Sequence, residues 1–201
     1  LIPEIQSNSV AVVSVDSAGE ISYFSNRCGV SQDYCIAAPG SSIYSAYAQD
    51  YPVTNEYASF SGTSMAAPHV SGGIALLADY FRNQLGNTEI LERLFLTANK
   101  TGIYEDSSVY GQGLMDLDAA TSPVGQTTVL TMSHLGIKSF PTFSTSLASF
   151  GPAMGDAWVN QLTREFAVFD QLGAPFFKQL DSTYFNPRNS VEWLSYKYTN
   201  P

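Results

Sequence analysis

Residues 60–72 read Phe60-Ser61-Gly62-Thr63-Ser64-Met65-Ala66-Ala67-Pro68-His69-Val70-Ser71-Gly72. This segment predicts a corner where a strand ends and a helix begins, with Ser64 beside a glycine and several small residues. Because the first amides of a helix have no partner inside it and carry partial positive charge, such a corner suits an anionic oxygen. A serine hydroxyl placed there can attack a carbonyl carbon, and the amide of the same serine can donate to the oxyanion that forms.

A single serine at the start of a helix is weak evidence for catalysis, because most such serines only cap the helix. The neighbours add to the signal, since Gly62, Ala66 and Ala67 are small enough to let a substrate backbone approach. Pro68 has no amide proton, so it leaves the carbonyl group of Ser64 without its usual helical partner. The significance therefore lies in the whole string and in the segments that flank it.

Before this segment, short apolar runs alternate with turn residues, which is typical of strands in an α/β domain. A strong break at Pro39-Gly40 ends one of these runs. We predict strands over Ser9–Asp16, Ile21–Ser25, Cys35–Ala38, Ser42–Tyr47 and Tyr57–Phe60.

The helix that follows Ser64 is predicted to extend from Met65 to about Phe81. It has no charged residue before Asp79, so we expect it to be buried on all sides. Gly72-Gly73 would weaken an isolated helix, but inside a core these residues let a neighbouring element approach closely.

A second helix follows, with Asn87 as the expected N-cap and Glu89 placed to complement the helix dipole. Its apolar residues form one stripe, which we interpret as ordinary core packing. The stripe consists of Ile90, Leu91, Leu94 and Ala98.

Composition limits the classes of function. The 201 residues are 44% hydrophobic and 13% charged, which excludes a mostly disordered chain. The net charge of −9 argues against nucleic acid as a partner, because phosphate binding needs clustered cations. No uninterrupted apolar run reaches the ~18–20 residues that a membrane-spanning helix needs. The first residues, Leu1-Ile2-Pro3-Glu4, do not resemble a signal peptide, so we expect a further segment upstream.

The string around Ser64 resembles the serine-containing motif of subtilisin-like serine peptidases almost letter for letter. The order and spacing of the flanks are also similar to that family, over about residues 9–121, including Ala38-Pro39-Gly40 and the segment 110–116. The resemblance implies the C-terminal part of a parallel-sheet α/β domain and a peptide or protein substrate. It makes Ser64 the nucleophile, with Thr63 shaping the oxyanion site and the Ser64 amide donating to it.

The family places its catalytic aspartate, histidine and oxyanion asparagine upstream of the strand that begins near Val10. Only eight residues precede Ser9 here, and they contain no histidine. We interpret His69 as structural and assign no catalytic role to His134. Since a serine hydroxyl without a general base is a poor nucleophile, we predict that this chain alone is inactive and that the parent protein is an endopeptidase.

Two other functions remain open at this stage. A catalytically dead subtilisin-like module could serve for binding or for chaperoning its own passenger. An esterase using Ser64 would need a second glycine after the serine, and Gly62-Thr63-Ser64-Met65-Ala66 does not contain one. No cofactor is expected for any of the three.

The two cysteines, Cys28 and Cys35, stand seven positions apart in a stretch that is predicted to be a loop. This spacing suits a small disulfide loop formed in an oxidising compartment, and two unrelated buried thiols are the alternative. A metal site would need more soft ligands nearby, so none is predicted.

The chain is predicted to divide into a peptidase part, residues 1–124, and a smaller β-leaning extension or linker, residues 125–201. The extension is similar to the region after the peptidase domain in subtilisin-like autotransporters of Gram-negative bacteria, and the cysteine loop also resembles that subgroup. The resemblance implies a secreted or cell-surface protein that passes through the periplasm. Asp156 and Asp170 are interpreted as solvated or capping residues and not as calcium ligands.

Overall fold

The computed structural model describes residues 9–47, 57–129, 131–132, 138–139 and 165–179. The chain divides into two compact units, residues 1–124 and residues 125–201. The first unit contains strands and helices in mixed order, so the predicted α/β class is confirmed. The interpretation of the second unit as an autotransporter-like extension stays a prediction.

The described residues of the first unit form four strands, namely β1 (Ala11–Val15), β2 (Cys35–Pro39), β3 (Ile43–Ala46) and β4 (Tyr57–Phe60). The same residues form four helices, namely α1 (Thr63–Tyr80), α2 (Asn87–Thr97), α3 (Ser107–Tyr110) and α4 (Leu117–Ala120). Short 3₁₀ helices cover Gly29–Tyr34 and Gly102–Glu105.

Strands β1 and β2 pair in parallel, from Ala11 opposite Cys35 to Val15 opposite Pro39. A parallel pair is normally covered on both faces, which explains why both strands are rich in apolar residues. One face of the pair contributes to a buried cluster, and α1 contacts both strands. The buried cluster consists of Val13, Val15, Cys28, Cys35, Ala37 and Tyr110.

The predicted strand over Ile21–Ser25 is wrong. Only Ile21 makes a β-bridge, antiparallel to Val15, and a turn follows at Tyr23 and Phe24. The amide of Ser25 donates to the carbonyl oxygen of Ser22 at 2.9 Å, which closes that turn. Serine side chains bond readily to nearby backbone groups and so compete with strand formation.

Helix α1 is buried on a narrower face than the sequence predicts. Its buried residues are Ala66, Val70, Gly73 and Leu77, whereas Leu76 is 48% exposed. The reason is that, among the described residues, β1, β2, α2 and the segment before α4 contact only one side of the helix. The expected close approach at the glycine pair is found at Gly73 alone, where an added Cβ would lie 3.0 Å from side-chain atoms of Met115 and Leu117.

Helix α2 begins at Asn87, so the N-cap is Gly86 and not Asn87 as predicted. The remaining features of this helix follow the prediction, with Glu89 in the first turn and Ile90 and Leu94 buried. Arg93 is also fully buried, which the apolar stripe did not predict. Its Nη1 donates to two backbone carbonyl oxygens near the end of the unit, at 3.0 and 3.1 Å.

Cys28 and Cys35 are joined by a disulfide across the 3₁₀ segment, with their Cα atoms 5.8 Å apart. Both residues are buried against the cluster described above. The amide of Cys28 donates to the Val109 carbonyl oxygen, and the Gln112 amide donates to that of Cys35. The disulfide loop is therefore attached at both ends to the segment around α3.

The second unit contains a short antiparallel pair, β5 (Thr131–Met132) with β6 (Lys138–Ser139). A longer antiparallel hairpin joins β7 (Glu165–Phe169) to β8 (Pro175–Gln179). At the hairpin turn, Asp170 Oδ1 accepts from the amides of Leu172 and Ala174, so this carboxylate caps the turn. Two short patterned stretches of the predicted β-leaning extension, residues 155–161 and 191–198, lie outside the described residues, as do His134 and Asp156.

Candidate active site

Ser64 lies at the corner between β4, which ends at Phe60, and α1, which begins at Thr63. Gly62 is the N-cap residue, and its carbonyl oxygen accepts from the amides of Met65 and Ala66 at 3.0 and 3.3 Å. Ser64 is exposed, and within the described residues neither its amide nor its hydroxyl makes a hydrogen bond. Both groups that acyl transfer needs from this residue are therefore available to a ligand.

The predicted support residue, Thr63, is the first residue of α1 and is also exposed. Among the residues that the structure describes, its hydroxyl has no hydrogen-bond partner. Thr63 therefore lies next to Ser64 in the sequence, and within the described residues its hydroxyl is not used in another hydrogen bond. Its role at an oxyanion site stays a prediction.

Two hydrogen bonds attach the corner to the loop that follows β2. The amide of Gly62 donates to the carbonyl oxygen of Gly40 at 2.8 Å, and the amide of Ser42 donates to Ser61 Oγ at 2.8 Å. A side chain at Gly40 has no room, because an added Cβ would lie 2.7 Å from the Gly62 carbonyl oxygen. The sequence marks Pro39-Gly40 only as a break, so this close approach could not be predicted from it.

A groove of about 620 Å³ runs beside Ser64, between α1 and the antiparallel pair of β3 and β4. Two of its aromatic side chains, Tyr47 and Phe60, contact each other with ring centroids 5.2 Å apart. The groove is lined by Ile43, Tyr44, Ser45, Ala46, Tyr47, Phe60, Ser64, Met65, Pro68 and His69. An extended peptide that reached Ser64 through this groove would contact mostly apolar and aromatic side chains.

His69 is exposed in the same groove, a little over one helical turn after Ser64. Its Nδ1 lies 2.8 Å from the Met65 carbonyl oxygen, which can only accept, so Nδ1 carries the proton. No hydrogen bond joins His69 to Ser64 within the described residues. The sequence placed His69 in packing or solvent and did not identify it as a residue of this groove.

Among residues 9–47 and 57–129, no carboxylate or imidazole bonds to the Ser64 hydroxyl. In the described part of the chain, no three histidine, cysteine, aspartate or glutamate side chains come together as metal ligands would. The helices that the structure describes are too short or too polar to cross a bilayer.

Comparison with known proteins finds several relatives of this chain. Subtilisin DY of Bacillus licheniformis is 39% identical over 111 residues, which cover 55% of this chain and 36% of that protein. An extracellular serine protease of Serratia marcescens is 30% identical over 139 residues, 60% of this chain and 13% of that protein. Serotype-specific antigen 1 of Mannheimia haemolytica is 33% identical over 153 residues, 73% of this chain and 16% of that protein. The chain thus spans about a third or less of these relatives.

Among solved structures, the prenylagaramide maturation protease PagA has a similar fold. The TM-score is 0.50 at 26% sequence identity, over 60% of this chain and 43% of that one. The model of the subtilase family matches residues 2–113, which include β1 to β4, α1, α2 and the corner with Ser64. Since this match covers more than half of the 201 residues, the chain belongs to the subtilase family.

Proposed function

We propose that the protein is a serine endopeptidase in which Ser64 is the nucleophile of an acyl-enzyme mechanism. The observation that carries the proposal is the exposed Ser64, whose amide and hydroxyl have no partner within the described residues, beside an open groove. Membership of the subtilase family supports the same reaction class. The peptidase activity belongs to the whole protein, of which this chain supplies the serine.

The reaction follows from the position of Ser64. Its Oγ attacks the carbonyl carbon of a peptide bond, and the hydroxyl proton passes to a general base. The amide of Ser64 donates to the oxyanion of the tetrahedral intermediate, and Thr63 helps to shape the site that holds this oxyanion. The C–N bond then breaks, the amine leaves with the proton, and water hydrolyses the ester at Ser64.

The general base is proposed to come from outside residues 1–201. Within the described residues no acid or imidazole bonds to the Ser64 hydroxyl. In the subtilisin-like peptidases that this sequence resembles, an aspartate, a histidine and an oxyanion asparagine precede the strand that corresponds to β1. We expect the isolated chain to hydrolyse no peptide bond, because an unassisted serine hydroxyl is a weak nucleophile.

The expected partner of this chain is the N-terminal part of the same catalytic domain. Among the described strands, β1 pairs only with β2. Residues 21–25 bond to its other edge at Ser14 and Val15, so that edge is available for a further strand only before Ser14. An apolar groove of about 380 Å³ lies beside that edge, between β1 and helices α1 and α2. The groove is lined by Val10, Val12, Ala67, Val70, Ser71, Ile74, Ala78, Asn87, Ile90 and Leu91. Parallel sheets of two strands are unusual, which supports completion by another segment.

Secretion is the proposed localisation, to the medium or to the bacterial cell surface through the periplasm. The Cys28–Cys35 disulfide supports an oxidising compartment, and the Serratia relative is named as extracellular. The autotransporter type is supported by the similarity to the Mannheimia antigen, which covers 73% of the chain and so extends beyond residue 124.

A fluorophosphonate probe that reacts with activated serines tests the proposal. We expect stoichiometric labelling of the full-length protein, none in Ser64→Ala, and none in the isolated 201-residue chain. Ser59→Ala is the matched control, since Ser59 is an exposed serine on β4 that does not line the groove. Labelling of the isolated chain at Ser64 would contradict the absence of a base.

A catalytically dead binding module is the alternative function. It is favoured by one observation, namely that the described residues offer no base to Ser64. It predicts that the full-length, folded protein does not react with the probe and cleaves no peptide. Reaction with ester substrates but not with peptides would instead indicate a different hydrolase.

A further inference from the structure

Three serine hydroxyls form a hydrogen-bonded chain that begins in β1. Ser14 Oγ lies 2.9 Å from Ser22 Oγ, which in turn lies 2.8 Å from Ser41 Oγ. Ser14 is fully buried and Ser22 is 4% exposed. Because a buried hydroxyl without a partner is costly, Ser14 and Ser22 depend on these bonds, and Ser22 bonds to both of the others.

The row of three serine hydroxyls ends at Ser41, in the loop that is bonded to the Ser64 corner. Ser41 stands between Gly40, whose carbonyl oxygen accepts from the Gly62 amide, and Ser42, whose amide donates to Ser61 Oγ. Both bonds are 2.8 Å long, and both end on residues within three positions of Ser64. The loop over residues 40–42 therefore determines where the start of α1 lies, and the hydroxyl chain attaches that loop to β1.

Close packing makes this attachment stiff. A Cβ on Gly40 would lie 3.0 Å from the Ala66 Cβ and closer still to the Ser14 hydroxyl. The Ser14 amide is itself fixed, since it donates to Ser25 Oγ at 3.0 Å. A nucleophile that is displaced by about 1 Å loses about 100-fold in rate, so small movements of this loop matter.

We propose that Ser22 and Ser41 are positioning residues for the Ser64 nucleophile. They hold the residue 40–42 loop against β1, and the loop holds Ser61 and Gly62 through its two hydrogen bonds. Neither residue lines the groove beside Ser64. This inference rests on the proposed role of Ser64 as the nucleophile, and it adds two residues that act through the backbone of the corner.

The test uses the full-length protein and compares Ser41→Ala, Ser22→Ala and Ser41→Thr with the wild type. Thermal unfolding first establishes a temperature at which every variant is folded. At that temperature kcat and KM are measured on a peptide substrate, together with the rate of fluorophosphonate labelling. Ser31→Ala is the matched control, because Ser31 Oγ makes a similar bond to the Tyr34 hydroxyl at 2.9 Å in the disulfide loop.

We expect kcat and the labelling rate to fall about 10- to 100-fold in both alanine variants, with KM changed less than about twofold. Ser41→Thr, which restores a hydroxyl at a half-buried position, should recover most of the loss, and Ser31→Ala should match the wild type. Folded Ser41→Ala that is labelled at the wild-type rate would overturn the proposal, even if Ser22→Ala fails to fold. Absence of labelling in the wild type would overturn the role of Ser64 and this inference together.

Discussion

The amide of Gly62 donates to the carbonyl oxygen of Gly40 at 2.8 Å, which joins the corner before Ser64 to the loop that leaves β2. The two residues are 22 positions apart, yet they approach so closely that a side chain at Gly40 would overlap its surroundings. The position of Ser64 is thus determined by the parallel pair beneath it as well as by its own helix. This relationship leads to the first prediction.

Gly40→Ala should destabilise the folded chain by about 1–3 kcal/mol, because its Cβ would overlap the Ser14 hydroxyl and the Gly62 carbonyl group. The measurement is urea-induced unfolding at neutral pH. Gly72→Ala is the control, since nothing lies within 4 Å of a Cβ at this helical position, and we expect it to stabilise by about 0.5–1 kcal/mol. Equal effects of the two substitutions would contradict the close approach at Gly40.

Local signals in the sequence predicted the elements around Ser64 correctly. Strands β2 and β4 coincide with apolar runs that end at Pro39-Gly40 and at Ser61-Gly62, and helix α1 coincides with the small, apolar run that comes next. Periodicity and turn residues act within a few positions, so they are readable from one sequence. The same signals failed at Ile21–Ser25, where the amide of Ser25 donates to the carbonyl oxygen of Ser22 and closes a turn.

The contacts that hold the site together could not be predicted, because they join residues that are distant in the sequence. The hydrogen bonds that join Ser14, Ser22 and Ser41 depend on how β1 and the loop after β2 pack against each other. Arg93 reads as a charged surface residue, yet its guanidinium reaches carbonyl groups almost thirty positions away. Only the three-dimensional structure shows that such polar groups are buried and paired.

Arg93→Met should cost about 2–4 kcal/mol of unfolding free energy, because it keeps much of the volume but removes the donors to the Ala120 and Ser122 carbonyl oxygens. The substitution also removes the guanidinium stacked 4.7 Å from the centre of the Phe81 ring. Urea unfolding gives the change, with an unchanged slope showing that the folded state is preserved.

Arg82→Met, at an exposed arginine that pairs with Asp79, should change stability by less than about 0.5 kcal/mol. A comparable loss in both variants would refute the structural role of Arg93.

The double variant Cys28→Ala/Cys35→Ala should unfold with about 2–3 kcal/mol less free energy than the wild type, since the disulfide closes a loop with a sequence separation of seven. Both sulfurs are buried, so the native protein should also resist alkylation after mild treatment with a reductant. The control is the same treatment in denaturant, where both cysteines should be alkylated. Rapid alkylation of the native protein would show that the disulfide is absent or accessible.

Stability should decline at alkaline pH because of Tyr104. Burial, then the neighbouring Tyr110 phenol and the Asp16 carboxylate, raise the pKa of Tyr104 above its ordinary value near 10. The neutral hydroxyl donates to the Gly19 carbonyl oxygen at 2.9 Å. Since the unfolded chain releases this proton first, the stabilisation is complete below about pH 10 and is lost as the pH rises through the raised pKa of the folded protein.

Tyr104→Phe separates this effect from general alkaline unfolding. Without the hydroxyl the variant should be less stable than the wild type at pH 8, and its stability should fall less steeply as the pH rises above about 10. The measurement is urea unfolding at several pH values in that range. Tyr44→Phe serves as the control, because Tyr44 is 71% exposed and should leave the pH dependence as it is in the wild type. Parallel curves for wild type and Tyr104→Phe would mean that Tyr104 does not carry the alkaline loss of stability.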